Sequence, residues 1–221
     1  MFFESAKSIL LIVSALFPLV NPIGGSPVFL LLTQEYTTKE RKLLARRVAI
    51  NSFILLIVSF VVGTHILSFF GISLPVVQVG GGLIVVSTGW GMLTRSDPGA
   101  GGDRSQMHQK VDADQLFQKA FYPLTLPLTV GPGSISIAIT LGANEPRHLG
   151  ANVLAILSAT IASALIALSV YLCYGYADRL AAAVGPSGMN VILRLSAFLL
   201  MCIGVQILWN GVSALVRALR V

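Results

Sequence analysis

Pro18-Leu19-Val20-Asn21-Pro22-Ile23-Gly24-Gly25-Ser26-Pro27 places three prolines within ten residues of an otherwise apolar run. A second stretch, Pro123-Leu124-Thr125-Leu126-Pro127-Leu128-Thr129-Val130-Gly131-Pro132-Gly133, repeats the spacing of four and then five residues at a constant offset of 105. Together the two stretches use six of the ten prolines in the chain. Self-similarity of this kind points to a duplicated structural unit.

The surroundings of both stretches are membrane-like. Charged residues make up 11% of the 221 residues, hydrophobic ones 55%, and mean hydropathy is +0.82. Soluble domains carry about 25% charged residues, so a water-soluble globule, a disordered tail and a fibre are excluded. A hydrocarbon core about 30 Å thick takes roughly 20 apolar residues per helix. Six runs qualify: 6–33, 48–70, 75–94, 120–143, 151–176 and 191–216. The N-terminus has Lys7 before an apolar stretch, but Glu4 offsets it and the run continues past Pro18, so we expect a first span and no signal peptide. Cys173 and Cys202 lie inside apolar runs and are expected to be small buried hydrophobes.

The net charge of +6 is read as topology and not as nucleic-acid binding. Lys39, Arg41, Lys42, Arg46, Arg47, Arg95, Arg104, Lys110, Lys119, Arg179 and Arg194 fall on one side of the bilayer. Lys7, Arg147, Arg217 and Arg220 fall on the other. This bias predicts cytoplasmic odd-numbered loops and both termini on the outer side. Trp90 and Trp209 suit interfacial anchoring.

The expected architecture is all-α and polytopic: six transmembrane helices forming a 3+3 inverted repeat. Residues 1–95 form the first unit, 96–119 a flexible cytoplasmic linker rich in turn residues, and 120–221 the second unit. Three is an odd number of crossings, so the second unit enters the membrane from the opposite side. A weaker echo links Gly82 and Gly89 in span 3 with Ala197 and Gly204 in span 6, each pair seven residues apart.

Each proline removes one N–H and crowds the carbonyl four residues back. The carbonyls of Ser14, Pro18 and Ile23, and of Lys119, Pro123 and Leu128, are therefore expected to be freed. Such groups are tolerated at membrane depth only against protein or a wet cavity. As an unbroken rod the first run would span about 42 Å at about 1.5 Å per residue. Spans 1 and 4 are accordingly expected to be discontinuous, restarting at Pro27 after a Ser26 cap and at Pro132 after Gly131.

Two such breaks facing each other would form a small neutral pocket. Helix N-terminal amides would receive a carboxylate, and carbonyls would receive an ammonium group or a bare cation. The residues expected to bind solute are Asn21, Pro22, Gly24, Gly25, Ser26, Thr125, Thr129, Gly131, Gly133 and Ser134. No Asp or Glu lies within a span, so no buried carboxylate is available to couple protons; His65 is expected to be interfacial. The expected coupling ion is Na⁺ or H⁺, and no cofactor or metal is expected. His-Glu-x-x-His, Gly-x-Ser-x-Gly and paired intramembrane aspartates are all missing from the sequence, which argues against an enzyme. Gln78, Gln206 and Asn210 are expected to bond between helices, and Gly80-Gly81-Gly82, Ser87, Gly89 and Gly91 to form a close-packing face. His108 and His148 lie in loops without ligand partners at metal spacing.

Asn21-Pro22-Ile23-Gly24, with Pro123 to Pro127 running into Gly131-Pro132-Gly133, resembles the MarC family of inner-membrane proteins. Gly81-Gly82 and Arg194-Leu195 also match that pattern, whereas Gln78 and Ser196-Ala197 depart from it. The resemblance implies six spans in the bacterial plasma membrane and transport of a small neutral amino acid of the glycine or alanine class. The expected partners are thus a small solute, the lipid bilayer and, for assembly, further copies of the chain. A passive channel or a structural or regulatory membrane protein is the competing expectation.

Overall fold

A computed structural model of the chain describes residues 2–94, 118–144 and 149–219. All regular structure among these residues is helical. In chain order the helices are α1 (Phe2–Val20), α2 (Pro22–Leu32), α3 (Thr38–Phe69), α4 (Leu74–Thr94), α5 (Ala120–Thr129), α6 (Pro132–Ala143), α7 (Leu149–Gly175) and α8 (Ala177–Ala218). Five stretches are long and apolar enough to cross a membrane: Ser5–Leu32, Thr38–Phe69, Leu74–Thr94, Val153–Gly175 and Ser187–Ala218. The pair α5 and α6, bent by 69°, makes a sixth crossing if taken as one span. Most of the linker, with His108 and His148, lies outside the described residues.

Leu10, Ile54, Phe69, Leu165, Phe198 and many other large apolar side chains are exposed around the bundle. Water would penalise such a surface, whereas lipid does not, and helix contact in lipid then depends on close packing and hydrogen bonds. Trp90 and Trp209 are exposed in the same way. Cys202 is exposed as well, which corrects the expectation of burial, while Cys173 is half-buried. Cys173 packs against the core and Cys202 lies on the outer surface, and apolar character alone cannot separate the two settings.

The shared core lies between α1, α2 and α3 on one side and α5, α6 and α7 on the other. Leu16, Val20, Phe29, Leu44, Val48, Leu56, Leu124, Val130, Ile166, Val170 and Tyr174 are all buried there. α3 packs against α5, α6 and α7, and α7 also packs against α1 and α2. α6 reaches α4, and α2 reaches α8.

α4 and α8 form a pair of their own, joined through backbone. A Cβ built on Gly82 would stand 2.6 Å from the Leu208 nitrogen and 2.9 Å from the Gly204 carbonyl oxygen. A Cβ on Gly204 would stand 2.7 Å from the Val86 nitrogen, and one on Gly89 2.8 Å from the Ala197 carbonyl oxygen. The faint seven-residue echo in the sequence is therefore a line of contact between two antiparallel helices.

α3 begins ten residues before its apolar run because Thr37-Thr38-Lys39-Glu40 is a capping box. The Thr37 N–H donates to Glu40 Oε2 at 2.8 Å, and the Glu40 N–H donates to Thr37 Oγ1 at 3.4 Å. This extension carries Arg41 into the protein. Its guanidinium donates to both carboxylate oxygens of Asp178 at the start of α8. It also donates to the Thr33 carbonyl at 3.1 Å and the Tyr36 carbonyl at 3.2 Å, just beyond α2. A cation at one helix C-terminus and an acid at another N-terminus both match the backbone dipoles.

The Arg41 side chain is 11% exposed and that of Asp178 47% exposed, so loss of the two partners will be unequal. Asp178→Ala should cost about 1 kcal/mol after solvent screening. Arg41→Ala should cost about 2–3 kcal/mol, because two carbonyls lose a charged donor as well. Thermal unfolding of both variants in one detergent checks the order. Equal losses would mean that the carbonyl contacts contribute nothing.

Candidate functional site

Both proline-rich stretches leave regular α-helix, in different ways. Pro22 disfavours α-helical backbone at the residue before it, and Asn21 takes the left-handed conformation (φ 45°, ψ 58°), which asparagine tolerates better than most residues. The Asn21 N–H still donates to Phe17 and the Gly25 N–H to the Asn21 carbonyl, each at 2.8 Å. Hydrogen bonding therefore runs through the irregular residue. Asn21 also caps α2, accepting the Gly24 N–H on Oδ1 at 3.1 Å.

These contacts correct one expectation. The helix restarts at Pro22 behind an Asn21 cap, and Pro27 lies inside α2. Ser26 does not cap; its hydroxyl donates to the Ile23 carbonyl at 3.1 Å. Proline spacing alone cannot say which proline of three opens a helix, because every one of them lacks the donor that the first turn does not need.

In the second stretch the restart falls where expected. Gly131 is extended (φ −88°, ψ 174°) and Pro132 opens α6. The preceding α5 is a wide-turn π-helix, with Tyr122 and Leu126 in extended conformations and cis peptide bonds before Pro123 and Pro127. Its sequence is a tandem Pro-Leu-Thr, and each threonine hydroxyl bonds back within the segment. Thr125 Oγ1 donates to the Ala120 carbonyl at 2.6 Å, and Thr129 Oγ1 donates to the Leu124 carbonyl at 2.7 Å, both five residues back. The Val130 N–H completes the turn on the Thr125 carbonyl at 2.9 Å. Threonine two places after proline is the sequence signal for this back-bond.

Tyr174 on α7 joins the two stretches. Its ring stacks on Phe29 of α2, with centroids 4.5 Å apart and planes inclined by 17°. Its hydroxyl lies 3.1 Å from Thr129 Oγ1 of α5. A Cβ on Gly25 of α2 would stand 2.5 Å from the same Oη. Gly25 and Thr129, two of the expected site residues, thus meet across one phenol. Sequence reading missed Tyr174 and Phe29, since an aromatic inside an apolar run gives no sign of its partner.

The other expected residues spread around this centre. Gly24 faces Ser196 of α8, with a built Cβ 2.6 Å from its Oγ. Gly133 packs against Val85 of α4, and Gly131 lies beside the Pro127 carbonyl. Ser134 Oγ donates to the Gly131 carbonyl at 2.9 Å. Pro22, Gly24, Gly25, Ser26, Thr125, Thr129, Gly133 and Ser134 are all buried. Four hydroxyls expected to meet a solute therefore donate to backbone carbonyls of their own segments. Asn51 on α3, also unforeseen, extends Nδ2 to Thr125 Oγ1 at 3.4 Å.

Gln78 bonds between helices as expected, from Nε2 to Thr140 Oγ1 of α6 at 3.4 Å. Nearby, Ser136 Oγ donates to the Val77 carbonyl of α4 at 3.1 Å. Gln206 and Asn210 instead bond to each other along exposed α8 at 2.9 Å, which corrects the interhelical expectation. Four residues apart on one helix, they are nearer to each other than to any neighbouring helix. Among the described residues, no three His, Cys, Asp or Glu side chains gather to hold a metal.

Apolar spans, lipid-facing side chains and proline-interrupted helices packed through polar contacts define a polytopic α-helical membrane protein. The family model described as "MarC family integral membrane protein" matches residues 6–216, and the chain belongs to the MarC family. A UPF0056 membrane protein of Methanocaldococcus jannaschii is 31% identical over 90% of this chain and 93% of its own length. UPF0056 membrane protein YvbG of Bacillus subtilis is 31% identical over 91% and 92%. UPF0056 inner membrane protein MarC of Salmonella typhimurium is 30% identical over 96% of both chains. No solved structure matches the chain.

Proposed function

We propose that this chain is a secondary transporter for a small neutral solute, of the glycine or alanine class, working by alternating access. The residues meeting the solute are those at the two helix restarts, Asn21 to Ser26 and Gly131 to Ser134, with Thr125 and Thr129. One observation carries this reading: the two proline-interrupted stretches converge on Tyr174, where Gly25 and Thr129 approach a single hydroxyl. Closure at that point and opening on either side of it is what a carrier requires.

The 3+3 inverted repeat, with discontinuous first and fourth spans, is supported by how the helices pair. Exchanging spans 1, 2 and 3 for 4, 5 and 6 turns the α3–α6 contact into α7–α2, α3–α5 into α7–α1 and α4–α6 into α8–α2. The α3–α7 and α4–α8 contacts map onto themselves. If Gly82 corresponds to Ala197 and Gly89 to Gly204, each glycine meets the counterpart of the other, as a two-fold relation demands. The helix restarts suggest a register of 110 residues, Pro22 with Pro132, in place of the 105 of the proline pattern. Location in the inner membrane follows the name of the Salmonella relative. Termini on the outer side follow the bias of basic residues.

Purified protein in liposomes should take up labelled glycine or alanine saturably, and the Na⁺ dependence of that uptake tests the coupling ion. Asn21→Gly keeps the left-handed backbone, whereas Asn21→Ala strains it; both remove the amide. Uptake should fall about tenfold in both, the worth of about one hydrogen bond. Wild-type uptake in Asn21→Gly would reduce Asn21 to a bend-former. Absence of uptake across the small neutral amino acids would favour the structural or regulatory reading, and non-saturable flux would favour a channel.

A further inference from the structure

A cavity of about 290 Å³ opens at the basic end of the bundle, between the starts of α3 and α8 and the end of α7. Arg41, Lys42, Tyr176, Asp178 and Arg179 line it. Arg41 and Asp178 neutralise each other, which leaves Lys42 and Arg179 as unbalanced charge. Both cations rest on one ring: Lys42 Nζ lies 5.2 Å and the Arg179 guanidinium 5.5 Å from the Tyr176 centroid. A shared aromatic face orders two long side chains that would otherwise be free.

Two further features point to an anion. Tyr176 gives α8 no side-chain cap, so the first-turn amides of its opening segment, 177–184 before the break at Gly185, remain available at the cavity wall. Arg41 Nε is buried and has no hydrogen-bond partner, although the rest of that guanidinium is fully engaged.

We propose that this cavity binds the phosphate of an anionic molecule at the membrane boundary, an anionic lipid headgroup in first place. Basic pockets between membrane helices select such headgroups over zwitterionic ones, where the choline or ethanolamine cation opposes the protein's own charge. The proposal is independent of whether the chain carries a solute.

The test uses the full-length protein in detergent with added lipid, read by native mass spectrometry. The wild type should retain phosphatidylglycerol in preference to phosphatidylcholine. Lys42→Gln with Arg179→Gln should reduce that retention about thirtyfold, two surface charges' worth, without moving the thermal unfolding midpoint, since both side chains are exposed. Lys39→Gln with Arg46→Gln removes two other exposed charges from the same helix end and should leave retention unchanged. Equal loss in the two double variants would reduce the effect to diffuse attraction and overturn the site, as would equal retention of both lipids by the wild type. Displacement of the lipid by millimolar inorganic phosphate would assign the same pocket to soluble phosphate compounds, and resistance to it would assign the pocket to lipid.

Discussion

Leucine at Gly82 should lower the thermal unfolding midpoint by about 10 °C or more. The first added atom already meets the Leu208 nitrogen at 2.6 Å and the Gly204 oxygen at 2.9 Å, and both are backbone. A flexible side chain could turn aside; a helix axis must move. Overpacking costs about 1–3 kcal/mol where neighbours can adjust. Here the whole α4–α8 contact separates, and each 1 kcal/mol is worth about 2–4 °C in a chain of this size. Lipid gives no hydrophobic return for reassociation, so close approach is the main attraction available. Alanine at Gly82 should cost about 2 kcal/mol. Alanine at both Gly82 and Gly204 should cost less than the sum, because the first substitution opens the gap that the second needs. Gly80→Ala and Gly91→Ala meet nothing within 4 Å and should be neutral or stabilising by up to about 1 kcal/mol, through helix propensity. Equal damage at Gly80 and Gly82 would refute the packing account.

Thr129→Val should be the most damaging near-isosteric change in α5, at about 2 kcal/mol. It removes a hydroxyl donor from the Leu124 carbonyl and the partner from the Tyr174 hydroxyl, both buried. A buried polar group left unpaired costs about 1–3 kcal/mol, more than the bond itself contributes. Thr129→Ser keeps the hydroxyl and should recover most of the loss. Tyr174→Phe removes one end of a single contact while Thr129 stays bonded to Leu124, so its effect should be smaller than that of Thr129→Val. Thr125→Val repeats the experiment one unit earlier, on the Ala120 carbonyl. Thermal unfolding of the four variants in one detergent orders them. A Tyr174→Phe loss above that of Thr129→Val would mean that the phenol, and not the threonine back-bond, holds the segment.

Much of the architecture was legible because hydrocarbon imposes so few solutions. Runs of about 20 apolar residues became helices within a few positions of their expected limits, except where Thr37 and Glu40 extended α3 outward and where α8 begins at Ala177, well ahead of the expected 191. Pro132 opened a helix as its missing donor suggests. The candidate site was only half legible. Asn21, Gly25 and Thr129 stood out from their surroundings as polar or small residues beside prolines, but Tyr174, Phe29 and Asn51 did not. Their part depends on which helix lies opposite, and periodicity within one helix carries no such information. The hydroxyls expected to meet a solute are already bonded to carbonyls of their own segments, and only one of those, Ile23, is a carbonyl freed by a proline.

Composition, run length and the duplicated prolines determined by themselves that this chain lives in lipid and that two of its spans depart from regular helix. Both follow from local rules: the transfer cost of charge into hydrocarbon and the missing N–H of proline. Tertiary structure alone decided that Gly82 abuts the backbone of α8 while Gly80 meets nothing, that Pro22 and not Pro27 restarts the first span, and that Arg41 ties α2 to α8. Those outcomes turn on gaps of a few tenths of an ångström and on partners far away in sequence. Neither is encoded at any one position of the chain.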